Sequence, residues 1–115
     1  MLQKQRSSLA ARGRAHAPVF AALGDETRLA LVAKLSGGQR CSISQLTKGS
    51  KLTRQAITKH LRVLESVGVV HSVHAGRERL SEFDRTPIEK MTEYLDFVSE
   101  QWDHALARLK SFIED

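Results

Sequence analysis

Arg54, Gln55, Thr58, Lys59 and Arg62 fall in one short stretch that mixes long hydrogen-bond donors with a small hydroxyl residue. An arginine can bond guanine with two parallel hydrogen bonds, a glutamine can do the same for adenine, and a threonine methyl can meet a thymine methyl. From Lys48 to Arg62 there are five basic residues and no acidic one. That chemistry suits the edge and backbone of a nucleic acid. Arg54, Gln55, Thr58 and Lys59 are the expected base readers, and Ser50, Lys51, Thr53 and Arg62 the expected phosphate contacts, because helix N-termini attract anions. His60 either packs inward or touches phosphate.

These side chains need a rigid support, and the same stretch supplies one. Ile57, Leu61, Leu64 and Val67 recur at spacings of four, three and three, an apolar stripe fit for a core. Thr53 is a good N-cap and Gly68 a good stop, so one helix runs between them. Before it, Ser42-Ile-Ser-Gln45 has the pattern of a capping box and starts a short helix carrying Ile43 and Leu46. Lys48-Gly-Ser-Lys51 is the turn, anchored by Leu52. A short helix, a glycine-containing turn and a longer basic helix make a helix-turn-helix.

Beyond Gly68 the period changes. Val69–His74 is short and β-branched, Ala75-Gly76 can turn, and Arg77–Phe83 alternates as a return strand. This predicts a two-stranded wing. Arg77 and Arg79 would face the minor groove or backbone from it, unless they only pair with Glu78 and Glu82. His71 and His74, three apart on a strand, point to opposite faces and do not share a metal site.

Upstream, residues 1–16 read as a flexible basic arm, followed by an apolar patch at Val19–Leu23. Asp25 caps a helix whose core face is Leu29, Val32 and Leu35, joined by Leu31. Downstream, Thr86-Pro-Ile-Glu89 is a second capping pattern with proline at the first helical position. The helix it opens runs to about Ile113, roughly 40 Å, too long to lie over so small a core. Ile88, Met91, Leu95, Val98, Trp102 and Leu109 form a seam along it, and most of the chain's aromatic residues sit there. A seam of this kind points to a partner helix, hence a homodimer, the alternative being packing within the chain.

Composition sets the outer limits. At 115 residues with 41% apolar content, one globular domain is expected. The net charge of +5 is unevenly placed: residues 85–115 carry four basic and seven acidic groups, whereas residues 1–84 hold the basic excess. A polyanion partner is expected for the first part only. No apolar run nears the roughly 18 residues of a membrane span. A single cysteine, Cys41, cannot form an internal disulfide, and a cytoplasmic protein is the simple reading. No Ser-His-Asp order, phosphate-cradling glycine loop or paired-carboxylate set stands out, so an enzyme is not expected and no cofactor is called for. A winged-helix protein-interaction module is the alternative from another class.

Three motifs in order carry a family resemblance: Phe20-Ala-Ala-Leu-Gly-Asp-Glu-Thr-Arg-Leu29, Ile43-Ser-Gln-Leu46, and the stretch from Leu52 to Val70. Together, over about residues 17–84, they resemble the ArsR-type winged helix-turn-helix repressors. Arg77-Glu-Arg79 and Gln101-Trp-Asp103 resemble a subgroup encoded beside SRPBCC (START-like) domain proteins. The resemblance implies a mainly α fold with a small β-hairpin, a winged domain over 17–84, and a dimerisation helix over 85–115. It also implies a homodimeric, often self-regulating repressor on a pseudo-palindromic operator in double-stranded DNA, commonly released by an inducer. Metal-sensing members carry Cys-x-Cys where this chain has Ser42 and Ser44, and a hydroxyl pair is a poor soft-metal site. No metal is expected there; the inducer stays open between none, a small organic ligand near the dimer helices, and a thiol-based response through Cys41, with an ArsR-type sensor using a non-classical metal or thiol site as a further alternative.

Overall fold

The computed structural model describes residues 2–114, with side chains from Ala10 onward. The helix-turn-helix comprises α3 (Ile43–Thr47) and α4 (Arg54–Ser66). Local chemistry sets both starts. Ser42 Oγ accepts from the Gln45 N–H at 3.2 Å while Gln45 Oε1 accepts from the Ser42 N–H at 2.8 Å, closing the capping box. Thr53 Oγ1 accepts from the Ala56 N–H at 3.1 Å and caps α4. Gly49 in the turn and Gly68 after α4 take φ of 79° and 78°, where a side chain would be strained.

Ile57, Leu61 and Leu64 of α4 are buried with Leu46, Val69 and Val70, and with Leu31 and Leu35 of α2 (Glu26–Leu35). Asp25 caps α2, its carboxylate accepting from the Arg28 N–H at 3.0 Å. The expected core face of α2 needs one correction: Leu29 is exposed. It stands two residues from Leu31, roughly 200° round the helix, so a face centred on Leu31 and Leu35 excludes it.

The wing forms from β2 (Val70–Ala75) and β3 (Glu78–Phe83), antiparallel with Ser72 opposite Ser81 and His74 opposite Arg79. The hairpin turn lies at Gly76-Arg77, one residue later than Ala75-Gly76, with Gly76 at φ 65°. A third strand, β1 (Cys41–Ser42), joins the outer side of β3. Two residues are too few for alternation to reveal it.

The N-terminal expectation is corrected outright. Residues from Leu2 to Leu23 form one helix, α1, with Pro18 inside it, rather than an arm followed by a patch. Met1 lies outside the described residues. The reason is tertiary. The Arg12 guanidinium sits over the Phe97 ring, 4.9 Å from its centroid, and the His16 and Phe20 rings lie 5.3 and 6.1 Å from that of Tyr94. Gly13 lets Tyr94 in: a Cβ there would stand 3.3 Å from the phenol oxygen.

Phe97 and Tyr94 belong to α5 (Thr86–Glu114), the long C-terminal helix. Its start differs from the expected box. The Thr86 N–H donates to Asp84 Oδ1 at 2.9 Å, and Glu89 pairs with Arg85 Nε at 2.6 Å instead of reaching back to Thr86. Helices α1 and α5 extend the molecule to 68 × 27 × 22 Å. The radius of gyration is 19.2 Å, where a compact domain of this length would have about 13 Å.

Candidate nucleic-acid interface

Arg54, Gln55, Thr58, Lys59 and Arg62 line one shared surface hollow on α4. All but Thr58 are exposed, and none takes part in an ion pair among the described residues. The core stripe turns inward, so the opposite face offers basic and polar groups and no carboxylate. Thr58 is half-buried and its hydroxyl donates to the Arg54 carbonyl at 2.8 Å. With its proton committed there, the methyl group is the part of Thr58 suited to thymine.

Ser50, Lys51 and Thr53, expected to contact the DNA backbone, lie in the turn before α4 and at its cap. Lys51 is exposed and unpaired among the described residues. Ser50 Oγ accepts from the Leu52 N–H at 3.1 Å, as Thr53 Oγ1 accepts from Ala56. Both hydroxyls are therefore structural, yet an accepting hydroxyl keeps its own proton to donate to a phosphate. The N–H groups at the start of α4 point the same way and carry the positive end of the helix dipole.

The two wing arginines part company. Arg77 lies in the hairpin turn, while Arg79 sits inside β3 and lines the cleft between α4 and the sheet beside Arg62. Neither pairs with Glu78 or Glu82 among the described residues; Glu82 bonds Arg40 instead, at 3.3 Å.

His60 packs inward. Its Nδ1 lies 3.2 Å from Arg28 Nη1 and 3.8 Å from the Asp25 carboxylate. Arg28 also donates from Nε to the Ala22 carbonyl. An arginine can only donate, so His60 Nδ1 accepts from it and the ring proton sits on Nε2. This cluster ties α4 to the junction of α1 and α2. The Asp25 carboxyl is held below its ordinary range, chiefly by the Arg28 N–H, with the charge of the Arg28 guanidinium adding to it. Sequence reasoning missed Arg28, because its partner is 32 positions away and no local pattern links them.

A second link joins the wing to α5. His71 Nε2 lies 2.8 Å from Asp84 Oδ2, while Asp84 Oδ1 accepts from Thr86. The Asp84 carboxyl is lowered to about 2, first by the Thr86 N–H and then by His71. His71 and His74 fall on opposite faces of β2, as their spacing requires.

Along α5 the expected seam divides. Met91 is buried within the chain at 7% exposure and Ile88 packs against the core, so both serve the fold of one chain. They come first on the helix, where it still crosses the winged domain. Leu95, Val98, Trp102 and Leu109 are exposed, as are Leu106, Phe112 and Ile113, with Trp102 at 64%. No helix among the described residues is long and apolar enough to cross a membrane.

The comparisons with known proteins agree with this geometry. Residues 23–73 match the family described as a helix-turn-helix domain. The chain is 37% identical over 79 residues to the HTH-type transcriptional regulator YuzN of Bacillus subtilis, an alignment spanning 64% of this chain and 86% of that protein. It is 30% identical over 93 residues to the HTH-type transcriptional regulator Rv2034 of Mycobacterium tuberculosis, covering 81% and 83%. The solved structure of an ArsR-like transcriptional regulator from Rhodococcus sp. RHA1 superimposes with a TM-score of 0.84 at 36% identity, over 91% of this chain and 95% of that one. These relatives are regulators of transcription, not enzymes. Motifs, winged fold and relatives together place the chain in the ArsR-like family of winged helix-turn-helix transcriptional regulators.

Proposed function

We propose that this regulator acts in the cytoplasm as a homodimeric repressor on a pseudo-palindromic operator, its own promoter among the sites. The observation that carries the reading is the exposed face of α4, where Arg54, Gln55, Thr58, Lys59 and Arg62 share one hollow without an acidic partner among the described residues. Arg54, Gln55, Thr58 and Lys59 read bases in the major groove; Ser50, Lys51, Thr53 and Arg62 hold phosphates. Arg77, at the hairpin turn, reaches the adjacent minor groove. The winged domain over 17–84 reads the duplex, and residues 85–115 hold two copies together. The exposed row Leu95, Val98, Trp102 and Leu109 supports that pairing, because an apolar row of this length is stable in water only when covered. Two copies place their α4 helices in successive major grooves, about 34–36 Å apart.

Fluorescence anisotropy with a duplex from the chain's own promoter region tests the proposal, with a scrambled duplex as control. Specific binding that weakens steeply between 50 and 200 mM salt, as expected in order of magnitude for several phosphate contacts per head, is the predicted result. Equal affinity for both duplexes rejects it.

A further inference from the structure

The cleft between α4 and the wing has a charge pattern that base reading does not require. It is a small cavity of about 40 Å³, with Arg62 and Glu65 of α4, Ser72 of β2, and Arg79 and Ser81 of β3 on its walls. The strand register explains why Arg79 is there. Ser81 is buried at 5% exposure, and residues two apart on a strand share a face. The face bearing Ser72 and Ser81 therefore also bears His74 and Arg79, with Arg79 toward its open end.

Glu65 lies three residues after Arg62, the spacing at which helix side chains normally pair. It does not pair with Arg62. The Ser72 hydroxyl donates to Glu65 Oε1 at 2.6 Å, and no ion pair of Arg62 or Arg79 occurs among the described residues. Two guanidinium groups thus border one small cleft, and the one carboxylate on its wall is engaged by Ser72 and by neither arginine. Like charges so placed favour an anion between them, and a guanidinium fork matches a phosphate in geometry.

We propose that Arg62 and Arg79 close on one and the same DNA phosphate, and that Ser72 is a positioning residue that keeps Glu65 engaged and off both guanidinium groups. This rests on the DNA-binding reading above and adds a seat shared between the recognition helix and the wing. Arg79 then sets the angle of the wing against the duplex, and Arg77 alone is left to explore the groove beside it.

The test is the salt dependence of operator affinity in the full chain, using a duplex selected from a random pool. Arg62→Ala, Arg79→Ala and the double variant are compared, with thermal melting to verify folding. One shared phosphate predicts that each single variant leaves the slope of log affinity against log salt nearly unchanged, while the double variant lowers it by about 0.9 per seat. A drop of about 0.9 per protomer in each single variant means two separate phosphates and overturns the proposal, as does an unchanged slope in the double variant. Ser72→Ala frees Glu65 to turn to Arg62 and weakens binding about tenfold, the worth of one charge-assisted bond. Glu65→Gln in that background restores it. If affinity stays low in Ser72→Ala/Glu65→Gln, Ser72 merely braces the wing and its positioning role is rejected. A wild-type chain that binds no duplex overturns the DNA reading as well; wild-type binding with additive single losses overturns this seat alone.

Discussion

Helices α4 and α5 are both amphipathic, and they leave opposite surfaces unmet. In α4 the apolar stripe of Ile57, Leu61 and Leu64 is buried within the chain, and the donor-bearing face is open. In α5 only Met91 is buried, and Leu95, Val98, Trp102, Leu106, Leu109, Phe112 and Ile113 face water. The kind of surface left over identifies the kind of partner. An open basic face calls for a polyanion, and an open apolar face for another protein surface.

The contrast can be broken from either side. Leu64→Ala, deep in the α4 stripe, should cost about 2–5 kcal/mol of stability, read from the denaturant midpoint at fixed protein concentration. A loss as small as that of an exposed residue would contradict a closed core. Trp102→Ala should barely alter the fold of one chain yet weaken self-association by about 2 kcal/mol or more, as at a buried aromatic anchor. Sedimentation equilibrium measures it, and an unchanged dimer would move the interface elsewhere. Trp102 is also the sole tryptophan, so its emission should shift to the red on dilution as the row becomes wet.

Smaller effects sharpen the α4 side. Arg54→Ala should lose about 1–3 kcal/mol on the selected operator and much less on scrambled DNA. Equal loss on both would make Arg54 a phosphate contact. Thr53→Ala removes the cap of α4 and should cost about 1 kcal/mol of stability. The mildest effect concerns pH. The Asp84 carboxyl is held at about 2 in the folded chain, against roughly 3.9 unfolded. Its contribution is therefore present above about pH 4 and fades as pH falls toward 2. Asp84→Asn should remove that part of the acid sensitivity, seen as a flatter melting temperature between those pH values.

The sequence revealed most where one stretch contains its own instructions. Thr53, the Ile57-Leu61-Leu64 stripe and Gly68 define α4 without help from elsewhere, and Ser42 with Gln45 starts α3 in the same way. The open donors of α4 follow from the same periodicity. What stayed hidden depends on distant partners. Helix α1 extends through the expected arm because Arg12, Gly13 and His16 meet Phe97 and Tyr94 from the far end of the chain. Arg28 finds His60 only once α2 and α4 pack together. The separation of Arg79 from Arg77 depends on a hairpin register that one residue in the turn decides. Met91 needed the third dimension, since a heptad seam does not say which of its members the parent domain keeps.

Asp84 is bound three ways: its N–H to the Val69 carbonyl at 2.8 Å, and its two carboxylate oxygens to Thr86 and His71. Only Asp84 and Arg85 separate β3 from α5. A joint this short, with its polar groups engaged on both sides, behaves as a bracket and not as a string. Any rotation of α5 about its axis would be handed on to the wing as an angle, with little slack to absorb it. In the proposed dimer, a small change in how the long helices cross would become a change in the distance between the two α4 helices. Adding two glycines between Asp84 and Arg85 would cut that gearing while leaving each half folded.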